Sequence, residues 1–133
     1  MSKILITGGN GFVGKAICDK LKTYNYKLNI SSRNNLSQQA SGLNVYNIGE
    51  IDQKNNWLDA LNGVNCVIHC AGKTHVMNDS IDDSLFSFRK VNVNGTINLA
   101  RQAVFCGVKR FIFLSSIKVN GESTEISSMF KYN

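Results

Sequence analysis

What this sequence does without narrows the field. Its 133 residues include no proline, and no linker, internal repeat or low-complexity tract breaks them. No apolar run approaches the roughly 18 residues of a membrane span, so no membrane partner is expected. The amino terminus runs directly into a strand-like segment with no secretory leader, which points to the cytoplasm. Basic residues outnumber acidic ones, 15 to 9, for a net charge of +6. They are scattered, however, and no basic block interleaves with aromatics, so nucleic acid is not an expected partner. A positive excess suits phosphorylated ligands equally well. Acid is missing from one stretch in particular, with none between Asp19 and Glu50. No metal site is expected either. Cys66 and Cys70 share one face of a strand while His69 points to the other, so these residues and His75 cannot converge on an ion. With Cys18 and Cys106, these cysteines read as reduced, small hydrophobes.

What is present is an ordinary globular composition, 43% hydrophobic and 18% charged, in one domain large enough to bury a core. Strand and helix patterns alternate. Lys3–Ile6, Lys27–Ser31, Leu43–Tyr46, Val64–Cys70 and Arg110–Ser115 read as strands, the fourth nearly all apolar and so central. Phe12, Val13, Ala16, Ile17 and Leu21 are spaced along one stripe of a first helix. A second helix is expected around Asn55–Leu61, stopped by Gly63, and a long one over Ser84–Phe105, stopped by Gly107. The Leu36–Gly42 segment is polar and weakly helical, Ala71–Asp82 reads as a loop, and nothing after Ile117 declares an element. Gly95, inside the long helix, costs about 1 kcal/mol against alanine, which implies close approach to a neighbour. Alternation of this kind predicts βαβ units and a doubly wound parallel sheet ordered 3-2-1-4-5.

The chain is organised around Thr7-Gly8-Gly9-Asn10-Gly11-Phe12-Val13-Gly14, between the first strand and the first helix. Strand, glycine-rich turn and helix is the context in which glycines bind phosphate. Gly8 can take a backbone conformation closed to other residues. Gly11 lets the chain approach a pyrophosphate, and Gly14 lets the helix pack closely. The helix start supplies unpaired N–H groups and a positive dipole end. The G-x-x-G-x-x-G spacing resembles the cofactor turn of the extended short-chain dehydrogenase/reductase superfamily, in its NAD(P)-dependent epimerase/dehydratase branch. The resemblance implies a Rossmann-type three-layer α/β/α sandwich, with Phe12 and Val13 joining the glycines as cofactor contacts.

Other segments carry the same resemblance. An NAD enzyme holds the ribose 2′-hydroxyl with an acid about 20 residues past the glycines. Here Ile30-Ser31-Ser32-Arg33 stands there instead. An arginine fork beside two small hydroxyls suits a 2′-phosphate, so NADP is favoured over NAD. Gly49-Glu50-Ile51 resembles the family's Gly-Asp-Ile/Leu element beside the adenine, with Glu50 in place of Asp. Val67-Ile68-His69-Cys70-Ala71-Gly72 resembles V-I-H-x-A-G/A, in which Cys70, Ala71 and Gly72 would lie against the cofactor ribose. His69, lacking a carboxylate partner, reads as a structural histidine. Asn92, in Val91-Asn92-Val93-Asn94-Gly95-Thr96, matches the helix asparagine that braces the fourth-strand loop, although an exposed helix position fits the sequence equally. Phe111–Ser116 followed by Ile117–Glu122 resembles the strand that runs into the family's catalytic serine, here Ser116.

The family's acid-base motif, Tyr-x-x-x-Lys, is absent. Tyr24, Tyr26 and Tyr46 are followed four residues on by Leu28, Ile30 and Glu50, and Tyr132 has no such successor. In relatives the motif falls beyond the point corresponding to Asn133, as does the substrate domain. The resemblance therefore implies that residues 1–133 are the dinucleotide-binding, amino-terminal part of a longer enzyme, inactive alone. The His75–Asp79 stretch and Ser115–Glu122 look like surface-polysaccharide enzymes of the UDP-sugar 4-epimerase and 4-ketoreductase kind. Such a parent would move hydride between nicotinamide and a sugar carbon, C4 by expectation, with a nucleotide-sugar partner and a homodimer as an open option. Two alternatives stand beside it: an NADP-sensing regulatory protein of the same fold, and a small-carbonyl reductase of dihydroflavonol or steroid type.

Overall fold

A computed structural model describes residues 2–33, 43–74, 81–116 and 119. The Leu36–Gly42 segment, the His75–Asp79 stretch and, Val119 apart, everything after Ser116 lie outside the described residues. In chain order the elements are β1 (Lys3–Thr7), α1 (Phe12–Lys22), β2 (Lys27–Ser32), β3 (Leu43–Asn47), α2 (Leu58–Leu61), β4 (Cys66–His69), α3 (Ile81–Phe88), α4 (Thr96–Phe105) and β5 (Arg110–Phe113). A π-helical stretch, Arg89–Gly95, links α3 to α4 without a break. The strands are parallel and ordered β3-β2-β1-β4-β5, the order expected from the sequence. The chain leaves β1 toward β2 on one side and returns to β4 on the other. Their carboxyl ends therefore part beside the glycine turn, where open α/β sheets bind ligands.

Alternation along the strands sorts the core into two layers. Ile4, Ile6, Leu28 and Ile30 face α1 and bury with Cys18. Leu5 and Val67 face the other way, into a cluster with Ile51, Trp57, Leu61, Val64, Val91, Leu99 and Ala103. On that second side Asn29 is fully buried but satisfied. Its Nδ2 donates to the Ala60 carbonyl at 2.7 Å, and its Oδ1 accepts from Asn44 Nδ2 at 3.2 Å. Gly95 sits against Ile51, and a β-carbon there would drive into the Ile51 Cγ2 methyl. This is the close approach its place in a helix implied.

Two expectations need correcting. The inward stripe of α1 is not the one that begins at Phe12 and Val13. Phe12 is 96% and Val13 47% exposed, while Gly14 and Cys18 are buried and Ile17 and Leu21 are half-buried. The helix start lies so close to the preceding turn that a β-carbon on Gly14 would overlap the Gly8 carbonyl oxygen. Only small residues fit that side, and the large ones turn outward. The second helix is also shorter than Asn55–Leu61. Asn56 Oδ1 accepts from the Leu58 N–H, and Asn55 Nδ2 donates to the carbonyls of Ile48 and Glu50. These side-chain bonds compete with the helix ladder and leave a single turn, Leu58–Leu61.

Candidate functional site

At the carboxyl edge of the sheet a cleft of about 490 Å³ opens between the glycine turn and the loops that follow β2, β3 and β4. Its walls are Gly8, Asn10 and Gly11; Ser31, Ser32 and Arg33; Gly49, Glu50 and Ile51; Cys70 to Thr74; and Val91. Gly8 has φ +67°, a left-handed conformation that costs other residues about 1–2 kcal/mol. A β-carbon there would also sit 2.9 Å from the Ala71 nitrogen. On Gly9, whose packing the sequence did not announce, it would press to 2.6 Å from Ile30 Cγ2. Side chains are thus excluded at Gly8 and Gly9, beside the start of the 11-residue α1. The leading N–H groups of a helix have no intrahelical partner and attract anions.

Of the residues singled out in the sequence, Gly8, Gly11, Arg33, Glu50, Ile51, Cys70, Ala71 and Gly72 all line this cleft. Phe12, Val13 and Gly14 do not: the first two point to solvent and the third is packed under the turn. The Glu50 carboxylate lies 3.6 Å from Lys90 Nζ in an exposed ion pair, so its charge is shared with the long helix. Cys70 is a neutral thiol, its pKa raised by burial, which removes it as a nucleophile.

Asn92 stays off the cleft lining and instead grips the loop behind it. Its Oδ1 accepts from the Lys73 N–H at 2.7 Å and its Nδ2 donates to the Lys73 carbonyl at 2.9 Å. Ser116 follows β5 off the same edge of the sheet, outside the lining of the cleft, with its carbonyl accepting from the Val119 N–H at 3.2 Å. His69 is 1% exposed and sits between hydroxyls, with Nδ1 2.6 Å from Thr7 Oγ1 and Nε2 2.9 Å from Thr96 Oγ1. Burial lowers its pKa to about 4, so the ring is neutral at pH 7.

Sequence reasoning missed Asn10, Gly49, Lys73, Thr74 and Val91 as wall residues. Asn10 lay in plain view inside the turn, and its Nδ2 donates to Ser32 Oγ at 3.3 Å. Val91 carries only the signal of an apolar helix residue. Among the described residues no cluster of His, Cys, Asp and Glu can hold a metal, and no helix is long and apolar enough to cross a membrane.

Known proteins resemble this chain in sequence and fold. The sequence model of the 3-beta hydroxysteroid dehydrogenase/isomerase family matches residues 5–131. UDP-glucose 4-epimerase of Vibrio cholerae is 41% identical over 128 residues, covering 96% of this chain and 39% of the relative. Sterol-4-alpha-carboxylate 3-dehydrogenase (decarboxylating) of Dictyostelium discoideum is 29% identical over 130 residues, covering 92% of this chain and 38% of the relative. Among solved structures, MoeE5 in complex with UDP-glucuronic acid and NAD superposes with a TM-score of 0.76 at 26% identity, over 92% of this chain and 40% of that one. The chain thus spans about two-fifths of the length of these relatives. A matched segment that runs from within β1 through the other four strands, the helix after the glycine turn and the walls of the cleft places this chain in the 3-beta hydroxysteroid dehydrogenase/isomerase family, among the NAD(P)-dependent epimerases and dehydratases its motifs resemble.

Proposed function

We propose that residues 1–133 are the dinucleotide-binding part of a cytoplasmic nucleotide-sugar epimerase, dehydratase or reductase. The observation that carries this is the cleft, whose turn excludes side chains at Gly8 and Gly9 and opens on about 490 Å³ of space that a dinucleotide could enter. Its walls fit the group in sequence: Gly8 and Gly11 beside the α1 start for the phosphates, Glu50 and Ile51 for the adenine, Cys70, Ala71 and Gly72 for a ribose. NAD(P), when bound, supplies a carrier for a hydride exchanged with the sugar, at C4 in this reading. Ser116 then donates a hydrogen bond to the sugar oxygen at that carbon. The proton is moved by a tyrosine of the kind missing here, so the chain alone binds cofactor without turnover. Similarity to UDP-glucose 4-epimerase supports a UDP-sugar substrate and a role in surface-polysaccharide synthesis.

Arg33, Ser31 and Ser32 all line the same cleft, which favours NADP over NAD. Calorimetric titration tests this directly. NADP binds the wild type more tightly than NAD, and Arg33→Ala weakens NADP about tenfold while leaving NAD unchanged. Tighter NAD binding by the wild type would reverse the preference. Assays of the chain, and of any longer product of its gene, with UDP-glucose and with small ketones separate the wider alternatives. In a product extended past Asn133, conversion of the UDP-sugar supports the enzyme, ketone turnover alone a small-carbonyl reductase, and cofactor binding without turnover a sensor.

Self-association belongs to the same proposal. Val93, Ile97 and Val104 are 47%, 44% and 78% exposed, and their spacing of four and seven sets them along one side of the long helix. A second copy that presents the same stripe would bury it on both chains. Ultracentrifugation should give a dimer that Ile97→Glu converts to a monomer; an unchanged mass in the variant would remove this surface from consideration.

A further inference from the structure

We propose that His69 is a positioning residue: in the neutral tautomer with its proton on Nε2, it ties the two anchors of the Ala71–Lys73 wall into one directed run of hydrogen bonds. The inference deepens the cofactor reading above and rests on it for its functional meaning.

The wall is held at two points. The Ala71 N–H donates to Thr7 Oγ1 at 3.2 Å, and Lys73 is held through both backbone groups by Asn92. Thr7 ends β1 and Asn92 lies in the π-helical stretch, so the anchors belong to different elements. His69 bridges them, through Thr7 Oγ1 on one side and Thr96 Oγ1 on the other.

The direction of each bond follows from the donors available. The Asn92 carbonyl can only accept, so the single Thr96 hydroxyl proton goes to it, at 2.9 Å. Thr96 Oγ1 must then accept from His69, which places the ring proton on Nε2. A neutral ring leaves Nδ1 bare, and it accepts the Thr7 hydroxyl proton. Thr7 Oγ1 in turn accepts from Ala71. The run reads Ala71 N–H to Thr7, Thr7 to Nδ1, Nε2–H to Thr96, and Thr96 to the Asn92 carbonyl, with every proton used once. The opposite tautomer would set a ring N–H against the Thr7 oxygen, leave the Thr7 hydroxyl proton without an acceptor in this set and deprive the Thr96 oxygen of its donor. In a site this buried, an unmet polar group is costly. The Phe111 and Phe113 rings, at centroid distances of 6.1 and 5.8 Å, pack against the imidazole and hold its plane. His69 itself does not reach the cleft, so it acts through the loop and not on a ligand.

Two measurements test this. The first is histidine ring ¹⁵N–¹H correlation on the full chain carrying His75→Gln, which leaves His69 as the one histidine. The proton should sit on Nε2, and the ring should stay neutral well below the ordinary histidine value of about 6.5. A proton on Nδ1, or titration near that value, overturns the proposal without any ligand being present. The second is titration with NAD and NADP of Thr96→Val and Thr96→Ser, neither of which alters the cleft lining. Losing the hydroxyl should weaken both cofactors about fivefold, and serine should restore affinity to within about twofold. In a His69→Phe background, exchanging Thr96 for Val should no longer change affinity. Equal affinity of the valine and serine variants overturns the positioning role alone. Failure of the wild type to bind either dinucleotide overturns the cofactor reading, and the positioning role with it.

Discussion

The two faces of the sheet are built on different terms. The α1 face is a mainly apolar seam: five hydrophobic residues bury together where α1 packs on β1 and β2. Across β4 and β5 on that face Ile112 stays 40% exposed and Cys66 and Ile68 are half-covered. The opposite face, under α2 and the long helix, buries ten hydrophobic residues and also Asn29 and His69, each hydrogen-bonded. Burial of apolar area is tolerant of direction, whereas buried hydrogen bonds are not. The face that carries polar groups is therefore the one that fixes the direction of the cleft wall. The seam under α1 supplies adhesion, and its exacting contacts are those of Gly9 and Gly14 at the turn.

Perturbing the two faces in parallel should expose this contrast. The largest effect belongs to Trp57→Ala, at a fully buried side chain on the polar face, with a loss of about 3–5 kcal/mol in urea unfolding. Its counterpart across the sheet, Ile17→Ala at a half-buried site, should lose about 1 kcal/mol. Equal losses would break the comparison. Next comes acid. His69 has a pKa of about 4 when folded, against an ordinary 6.5, so the unfolded chain takes up the proton first. Stability should be full above pH 6.5 and fall as pH drops toward 4, by about 3 kcal/mol at most. Urea midpoints between pH 7 and 4.5 would show this slope in the wild type and its loss in His69→Phe. Third is Gly8→Ala, which combines a strained φ of +67° with a β-carbon 2.9 Å from the Ala71 nitrogen. It should cost about 1–2 kcal/mol of stability and about tenfold or more in dinucleotide affinity. Smallest is Phe12→Ser, at a side chain 96% exposed: a change within about 0.5 kcal/mol by thermal melting. A loss well beyond that would restore Phe12 to the packed stripe.

Much of the architecture was legible because it is local. The five strands could be read from short apolar runs, and their order from the alternation of strand with helix. The glycine turn announced itself by sitting between Ile6 and the first helix. What escaped notice depends on partners far apart in the chain. Nothing near Thr7 signals that it meets His69, 62 residues on, or that His69 meets Thr96, 27 beyond that. The Asn92 hold on the fourth-strand loop was legible through the resemblance, but not that it falls on Lys73, 19 residues away, or that Lys73 and Thr74 line the cleft. The inward side of α1 was misread for a different reason. Hydrophobicity marks Phe12 and Val13 as core, but the spacing of helix and turn is decided by Gly14, and proximity outranks apolarity there. Asn55 and Asn56 shortened α2 by the same kind of override, their amides competing with the backbone ladder.

The bond between Ala71 and Thr7 spans 64 residues, and it closes only once β4 has docked beside β1. The segment up to β3 holds the glycine turn, but the Ala71 wall of the cleft comes only with β4. The cleft is therefore completed by the strand that joins the middle of the sheet and not by the motif that opens it.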